Sequence, residues 1–235
     1  MDALLNNAVF IGKGLWMTVA LALVTLFFST VISLVLGVLA TLRSRLLRAV
    51  IHAYVEFFRA IPLIVNIFFV YFALPLFGVQ LSPFTAVCFG LTLWGSANGI
   101  EIVRGGLQAV PAHQWRSAWA LGLRPWEIYW FVAGPQALKA IVPPFTGLLT
   151  LLVQATSLGA LVGVTEFLKV GQIIVERSTI MGGQSPAFVV YAFVLLVYFL
   201  ICSALTWLSR YLERRLNKER AAPRVETPTA LREST

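Results

Sequence analysis

Residues 114–136 read QWRSAWALGLRPWEIYWFVAGPQ. The stretch carries four tryptophans, two Gly/Pro interruptions and mixed charge, and it separates two strongly apolar segments. Its spacing resolves into two short helices. From Pro111 to Leu121, Trp115, Ala118, Trp119 and Gly122 recur at three- and four-residue intervals. They form one apolar stripe with a small-residue notch, while Gln114, Arg116 and Ser117 face elsewhere. Gly122 suits the left-handed residue that ends a helix. Arg124 and Pro125 open the second helix, since proline is tolerated in a first turn. That helix carries Trp126, Ile128, Tyr129, Trp130 and Val132, and Gly134-Pro135 is expected to stop it. A rigid helix-turn-helix of this kind presents aromatic anchors of the type that dock on a partner protein. The same tryptophans also suit a helix pair lying at headgroup depth in a membrane.

The rest of the chain sets that module in a bilayer. Of 235 residues, 59% are hydrophobic and 12% charged, about half the charge of a soluble domain. A span needs about 20 mainly apolar residues, and five segments qualify: 15–42, 61–77, 83–103, 141–164 and 187–208. The fold class expected is an all-α membrane protein. Between the first two spans, 45–58 is amphipathic and is expected to lie on the membrane surface. The first fifteen residues lack the basic start and small-residue cleavage site of a secretory signal and are read as retained.

Charge orients the spans. Fifteen of the 18 basic residues fall after span one, after span three and after span five. Lysine and arginine in short connections favour the cytoplasm, which puts the N-terminus outside and the C-terminus inside. The module within 108–136 then lies in the cytoplasm, and the loop 166–186 outside. Residues 213–235, dense in charge with Pro and Thr, are expected to be a helix end followed by a disordered cytoplasmic tail. The formal net charge of +8 fits cytoplasmic loops and anionic lipid rather than nucleic acid. Cys88 and Cys202 have no partner at metal or disulfide spacing and read as buried thiols. No metal site is expected. No GxxxxGK[ST] loop occurs, since Gly12-Lys13-Gly14 only precedes a span, so the chain is not expected to bind ATP. No clustered carboxylates or hydrolase motifs point to an enzyme.

Several motifs together resemble a known family. Ala118, Leu121-Gly122 and Gly134-Pro135-Gln136 are similar to the cytoplasmic coupling loop of ABC importer permeases. Phe58-Arg59-Ala60-Ile61-Pro62, EIVRGGLQAVP at 101–111, Pro135-Gln136-Ala137-Leu138, Pro143-Pro144 and Thr156-Ser157-Leu158 look like the polar amino acid uptake subfamily, which includes histidine, glutamine, glutamate and arginine permeases. The resemblance covers most of 10–212. It implies a type I ABC importer permease fold in a bacterial inner membrane and a permease dimer, formed with itself or a related chain. It further implies two ATPase subunits that carry ATP-Mg, and an extracytoplasmic solute-binding protein. Trp115, Arg116, Ser117, Ala118, Leu121, Gly122, Gly134 and Pro135 would then form the ATPase-coupling loop. The chain departs from the pattern at Arg116, where the family usually has an acidic residue, and at Gln154-Ala155, where lysine and an acidic or amide residue are common.

Polar groups inside spans are costly and usually face the interior. Asn66, Ser96, Asn98, Glu101, Gln154, Thr156 and Ser157 stand out, and of these Asn98, Glu101, Gln154, Thr156 and Ser157 are the substrate-pathway candidates. Glu101 sits one turn before Arg104, so it is read either as a helix-end ion pair or as a contact for a substrate ammonium. The rival class, an ion-coupled secondary amino acid transporter, would normally show internal repeats and several buried ionisable groups.

Overall fold

The computed structural model describes residues 2–42, 44–183 and 185–218, and among them no strand occurs. After a turn of helix at Asp2–Leu5, eight helical elements follow. They are α1 (Ala8–Leu39), α2 (Arg45–Ala60), α3 (Leu63–Phe77), α4 (Pro83–Gln108), α5 (Ala112–Ala120), α6 (Pro125–Val162), α7 (Phe167–Gly182) and α8 (Ala187–Lys218). Of these α1, α4, α6 and α8 are long and apolar enough to cross a membrane. A fifth crossing arises if α2 and α3, bent by 104° at their junction, count as one broken span. Pro62, extended at φ −54° and ψ 137°, forces that bend, because proline cannot continue the ladder of hydrogen bonds.

The element bounds differ from the hydropathy windows in instructive ways. Helix α1 begins seven residues before 15. Segment 61–77 holds one α turn set, a π-helical stretch at Phe69–Ala73 and a 3₁₀ turn at Leu74–Phe77. The segment 166–186 is mostly the helix α7, not a loop. Helix α8 continues through 213–218, and residues 219–235 of the expected tail lie outside the described residues.

The tightest packing joins α1 to α4. Along α1, Gly14, Thr18, Ala22, Thr25, Ser29, Ser33 and Gly37 are buried at intervals of three or four. Small residues at this spacing let helix backbones approach closely where lipid offers no hydrophobic drive. A Cβ on Gly95 would stand 2.8 Å from Leu152 and from Ser29 Oγ, and one on Gly37 would stand 2.6 Å from Val103. Ser33 donates to Ser29 O at 2.6 Å and to Ser96 O at 3.3 Å. The Tyr54 and Ser96 hydroxyls lie 2.7 Å apart and tie α2 to α4. Buried Leu21, Ile67, Val87, Leu91, Leu152 and Val164 form the central core. A second cluster, Val103, Leu107, Ala133, Ala137, Ile141 and Phe145, joins α4 to α6 near the aromatic module.

Candidate functional site

The module 108–136 is built on a closed turn. Helix α5 ends at Ala120, and Gly122 takes φ +76°. Gly122 N donates to Trp119 O at 3.0 Å, and Leu123 N to Ala118 O at 3.2 Å. These two bonds are the paired closure that satisfies the last carbonyls of a helix and needs a left-handed residue. Beyond the turn, Glu127 reaches back to accept from Arg124 N at 2.6 Å and fixes the start of α6.

Gly134-Pro135 does not stop the second helix, contrary to expectation. Helix α6 runs unbroken from Pro125 to Val162, 38 residues in all. A π-helical turn at Ile128–Ala133 precedes the proline. The wider turn accommodates a ring that has no N–H and that would clash with a regular preceding turn. Gly134 has its own reason to lack a side chain: a Cβ there would lie 2.5 Å from Tyr129 O. Pro143 and Pro144 are likewise carried inside α6.

The module faces two ways. Ala118 and Ile128 are buried, and Trp115 packs edge-on against Tyr129 with ring centroids 5.2 Å apart. The Tyr129 hydroxyl lies 2.8 Å from Thr41 Oγ1, just past the end of α1. Gln136 Nε2 donates to Val132 O at 2.9 Å and to Gln114 Oε1 at 3.5 Å. Outward stand Trp119, Leu121, Trp126, Trp130 and Phe131, with Trp130 75% exposed. Arg116, Ser117 and Pro135 are exposed as well. Of the predicted residues, Trp115 and Ala118 anchor the module, while Arg116, Ser117 and Leu121 belong to its free surface.

The substrate-pathway candidates do not come together. Asn98 and Glu101 line a cleft of about 550 Å³ between α4 and α6, with Arg59, Trp94, Pro144 and Leu148. Glu101 is committed to Arg104 through two bonds, Nε to Oε1 at 3.0 Å and NH2 to Oε2 at 2.5 Å. Gln154 and Ser157 line a separate groove of about 730 Å³ between α6 and α8, with Thr150, Tyr198, Ser203 and Thr206. Thr156 lines neither: it is fully buried and donates to Val153 O at 2.7 Å. Asn66 and Ser96 are buried too.

Glu166 is the residue the sequence did not single out. It caps α7 and is fully buried, accepting from Leu168 N at 2.9 Å and Lys169 N at 2.7 Å. Tyr198 OH donates to it at 3.0 Å and Thr18 Oγ1 at 3.4 Å. Burial raises its pKa, against the opposing pull of these four hydrogen bonds. The carboxylate thus joins α1, α7 and α8 beside the α6–α8 groove. An acidic residue one position before an apolar helix was the only signal available.

Four or five apolar spans, small-residue helix packing and an aromatic module at one end describe a polytopic membrane protein. Residues 33–218 match the family of binding-protein-dependent transport system inner membrane components, and the chain belongs to that family. It is similar to the probable amino-acid ABC transporter permease protein YckA of Bacillus subtilis (strain 168), at 31% identity over 88% of each chain. It is also 30% identical to the glutamine transport system permease protein GlnP of Escherichia coli (strain K12), over 87% of this chain and 91% of that one. Its fold is shared with the crystal structure of an amino acid ABC transporter with histidines, at TM-score 0.79 and 24% identity, covering 90% of this chain and 96% of that one. An inward-facing form of the MetNI methionine ABC transporter gives TM-score 0.70, also at 24% identity, over 90% and 98%. The chain is therefore an inner-membrane permease component of an ABC transporter with the type I permease fold. It is a transport subunit rather than an enzyme, and the ATPase is a separate chain.

Proposed function

We propose that this permease moves polar amino acids or close analogues into the cytoplasm, by alternating access driven by ATP hydrolysis on two partner ATPase subunits. An extracytoplasmic binding protein delivers the substrate, and the permease works as a dimer with itself or a related chain. The N-terminus lies outside and the C-terminus inside, as the distribution of basic residues favours. One observation carries the reading. The module 108–136 is rigidly closed at Gly122, bonded to α1 through Tyr129, and bears a surface of exposed aromatic side chains. Such a surface supports docking in a groove of the ATPase, so that ATPase closure drags the permease between two discrete arrangements.

The Asn98 cleft, which lies on the same side of α6 as Arg59, Ala140 and Pro144, is assigned to the inner part of the substrate route. The Glu101–Arg104 pair holds the helix end there rather than offering a free carboxylate. The Gln154–Ser157 groove, which runs along α8 from Tyr198 to Trp207 and Arg210, is assigned to a second part of the route. The amide and hydroxyl lining suits the polar groups of an amino acid, and the names of the relatives agree with that substrate class.

The test is purification of the tagged chain in mild detergent, followed by identification of stoichiometric partners and reconstitution with its binding protein. An equimolar Walker-motif ATPase, and amino acid uptake that requires ATP, are expected. A chain that purifies alone and moves substrate down an ion gradient overturns the proposal.

A further inference from the structure

The exposed side of the module 108–136 is basic. Between positions 102 and 165 the one acidic residue is Glu127, against Arg104, Arg116, Arg124 and Lys139. Arg104 is held by Glu101, and Glu127 is half-buried and occupied by the backbone N–H of Arg124. Arg116 and Arg124 are both exposed, and among the described residues neither forms an ion pair. Resting on the reading that this module docks on the ATPase, we propose that the receiving groove of the ATPase is acidic and that one of its carboxylates pairs with Arg116.

The surface itself sets this requirement. Arg116 stands on the outward side of α5, with exposed Trp119 three residues on and so its neighbour on the helix surface. Ala118, on the opposite side, is buried. Docking through Trp119 therefore brings the Arg116 guanidinium to the interface as well. A cation taken out of water without a counter-charge is strongly unfavourable, so a purely apolar groove would disfavour this face. A carboxylate answers it better than a single acceptor, because the planar guanidinium presents paired N–H donors that match two oxygens. Arg124, just beyond the Gly122 turn, adds a second exposed positive charge to the module.

An anionic leaflet would also answer the charge, but the surroundings of Arg116 favour a protein groove. A helix that settles among headgroups sets large apolar residues beside its basic ones. Of the four neighbours of Arg116 across the helix surface, Ala112 and Ala120 are small, His113 is polar, and only Trp119 is a bulky ring. Small exposed flanks let the wall of a groove close on the guanidinium.

The test uses the complex purified with its ATPase. Arg116→Lys places a primary amine at this position, and a water-soluble carbodiimide couples that amine to a carboxylate in contact with it, forming an amide with loss of water. Peptide mass spectrometry is expected to find residue 116 joined to an Asp or Glu of the ATPase, with Arg116→Gln as the background that offers no amine. Retention of the ATPase on the immobilised permease is then followed as NaCl rises. Arg116→Glu should weaken it by about tenfold or more, since like charges then meet. Arg116→Gln should weaken it by roughly two- to fivefold, with a shallower salt dependence. Absence of the adduct while the ATPase is bound, or unchanged retention in Arg116→Glu, overturns the proposal and leaves the docking reading standing. A loss in Arg116→Glu seen in phosphatidylglycerol nanodiscs but not in phosphatidylcholine ones would assign the charge to the leaflet and overturn it as well. If no ATPase accompanies the unaltered chain, the docking reading fails, and the acidic groove with it.

Discussion

The hydroxyls of Tyr129 and Thr41 lie 2.8 Å apart and join the aromatic module to the end of α1 across 88 residues of sequence. On the other side of the Tyr129 ring stands Trp115. The module is thus held to the bundle by this hydrogen bond and by the packing of Trp115, Tyr129 and Ala133 in the cluster that contains Val103 and Leu107, in addition to its covalent ends. Tyr129→Phe removes the first and keeps the second. The loss should be about 0.5–1.5 kcal/mol, enough to loosen the module without unfolding the chain. Amino acid transported per ATP hydrolysed should fall while the assembled complex persists. An unchanged ratio would exclude this bond from coupling.

Gly122 offers a purely backbone test. A Cβ there meets nothing within 4 Å, yet φ is +76°. Gly122→Val therefore meets no clash, but pays about 1–2 kcal/mol for the left-handed conformation. Either the turn reshapes or it is held under strain. ATPase activity should become independent of substrate delivery, or the ATPase should dissociate, with Gly122→Asn less affected because asparagine tolerates this region. Normal coupled uptake in the valine variant would sink the assignment of the turn.

Two glycines in α1 should behave oppositely although they are two residues apart. A Cβ on Gly12 meets nothing within 4 Å, whereas one on Gly14 would lie 2.6 Å from Val170 Cγ2 and 3.3 Å from Glu166 O. Gly12→Ala should raise the unfolding temperature, since glycine inside a helix costs roughly 0.5–1 kcal/mol relative to alanine. Gly14→Ala should lower it, because overpacking costs about 1–3 kcal/mol. Thermal unfolding of the detergent-solubilised complex checks both, and the same sign for the two variants would contradict the close approach of α1 to α7.

Glu166 makes stability depend on pH with a definite sign. Burial, the largest influence, raises its pKa above the usual carboxyl range. Folding therefore favours its protonated form more than the unfolded chain does. The stability it contributes is complete below the unfolded carboxyl value of about 4.3 and is lost as pH rises through the raised folded value. Glu166→Gln removes that titration. The unfolding temperature of the unaltered chain, measured against the glutamine variant, should decline as pH rises through this window. A relative gain with rising pH would show the cap bonds outweighing burial.

The sequence made some of this legible through strictly local chemistry. Gly122 was readable because a left-handed helix end selects glycine whatever surrounds it. The pairing of Glu101 with Arg104 was readable because three residues of helix bring the two side chains together. The course of α6 was not, because Gly134-Pro135 taken alone means a stop, and only the π turn at Ile128–Ala133 lets the helix pass through. Composition also failed to separate Gln154, which faces a groove, from Thr156 two positions later, which is fully buried. Glu166 escaped notice because its hydroxyl partners stand 148 residues before it and 32 after it. Glutamate is not among the preferred capping residues, so its role rests on tertiary contacts alone.

The unbroken course of α6 has a mechanical consequence. At about 1.5 Å per residue, its 38 residues make a connecting rod of roughly 55 Å. Buried side chains grip it along its length, from Ile128 and Ala137 through Phe145 and Leu152 to Val162. A rigid tilt of about 3° about its midpoint would move each tip by roughly 1.5 Å in opposite directions. One tip is the aromatic module, and the other is Val162, followed by Gly163 at φ +89° and then by Glu166. In the proposed cycle, a push on the tryptophans would move the opposite end of α6, four residues before the carboxylate that fastens α1, α7 and α8.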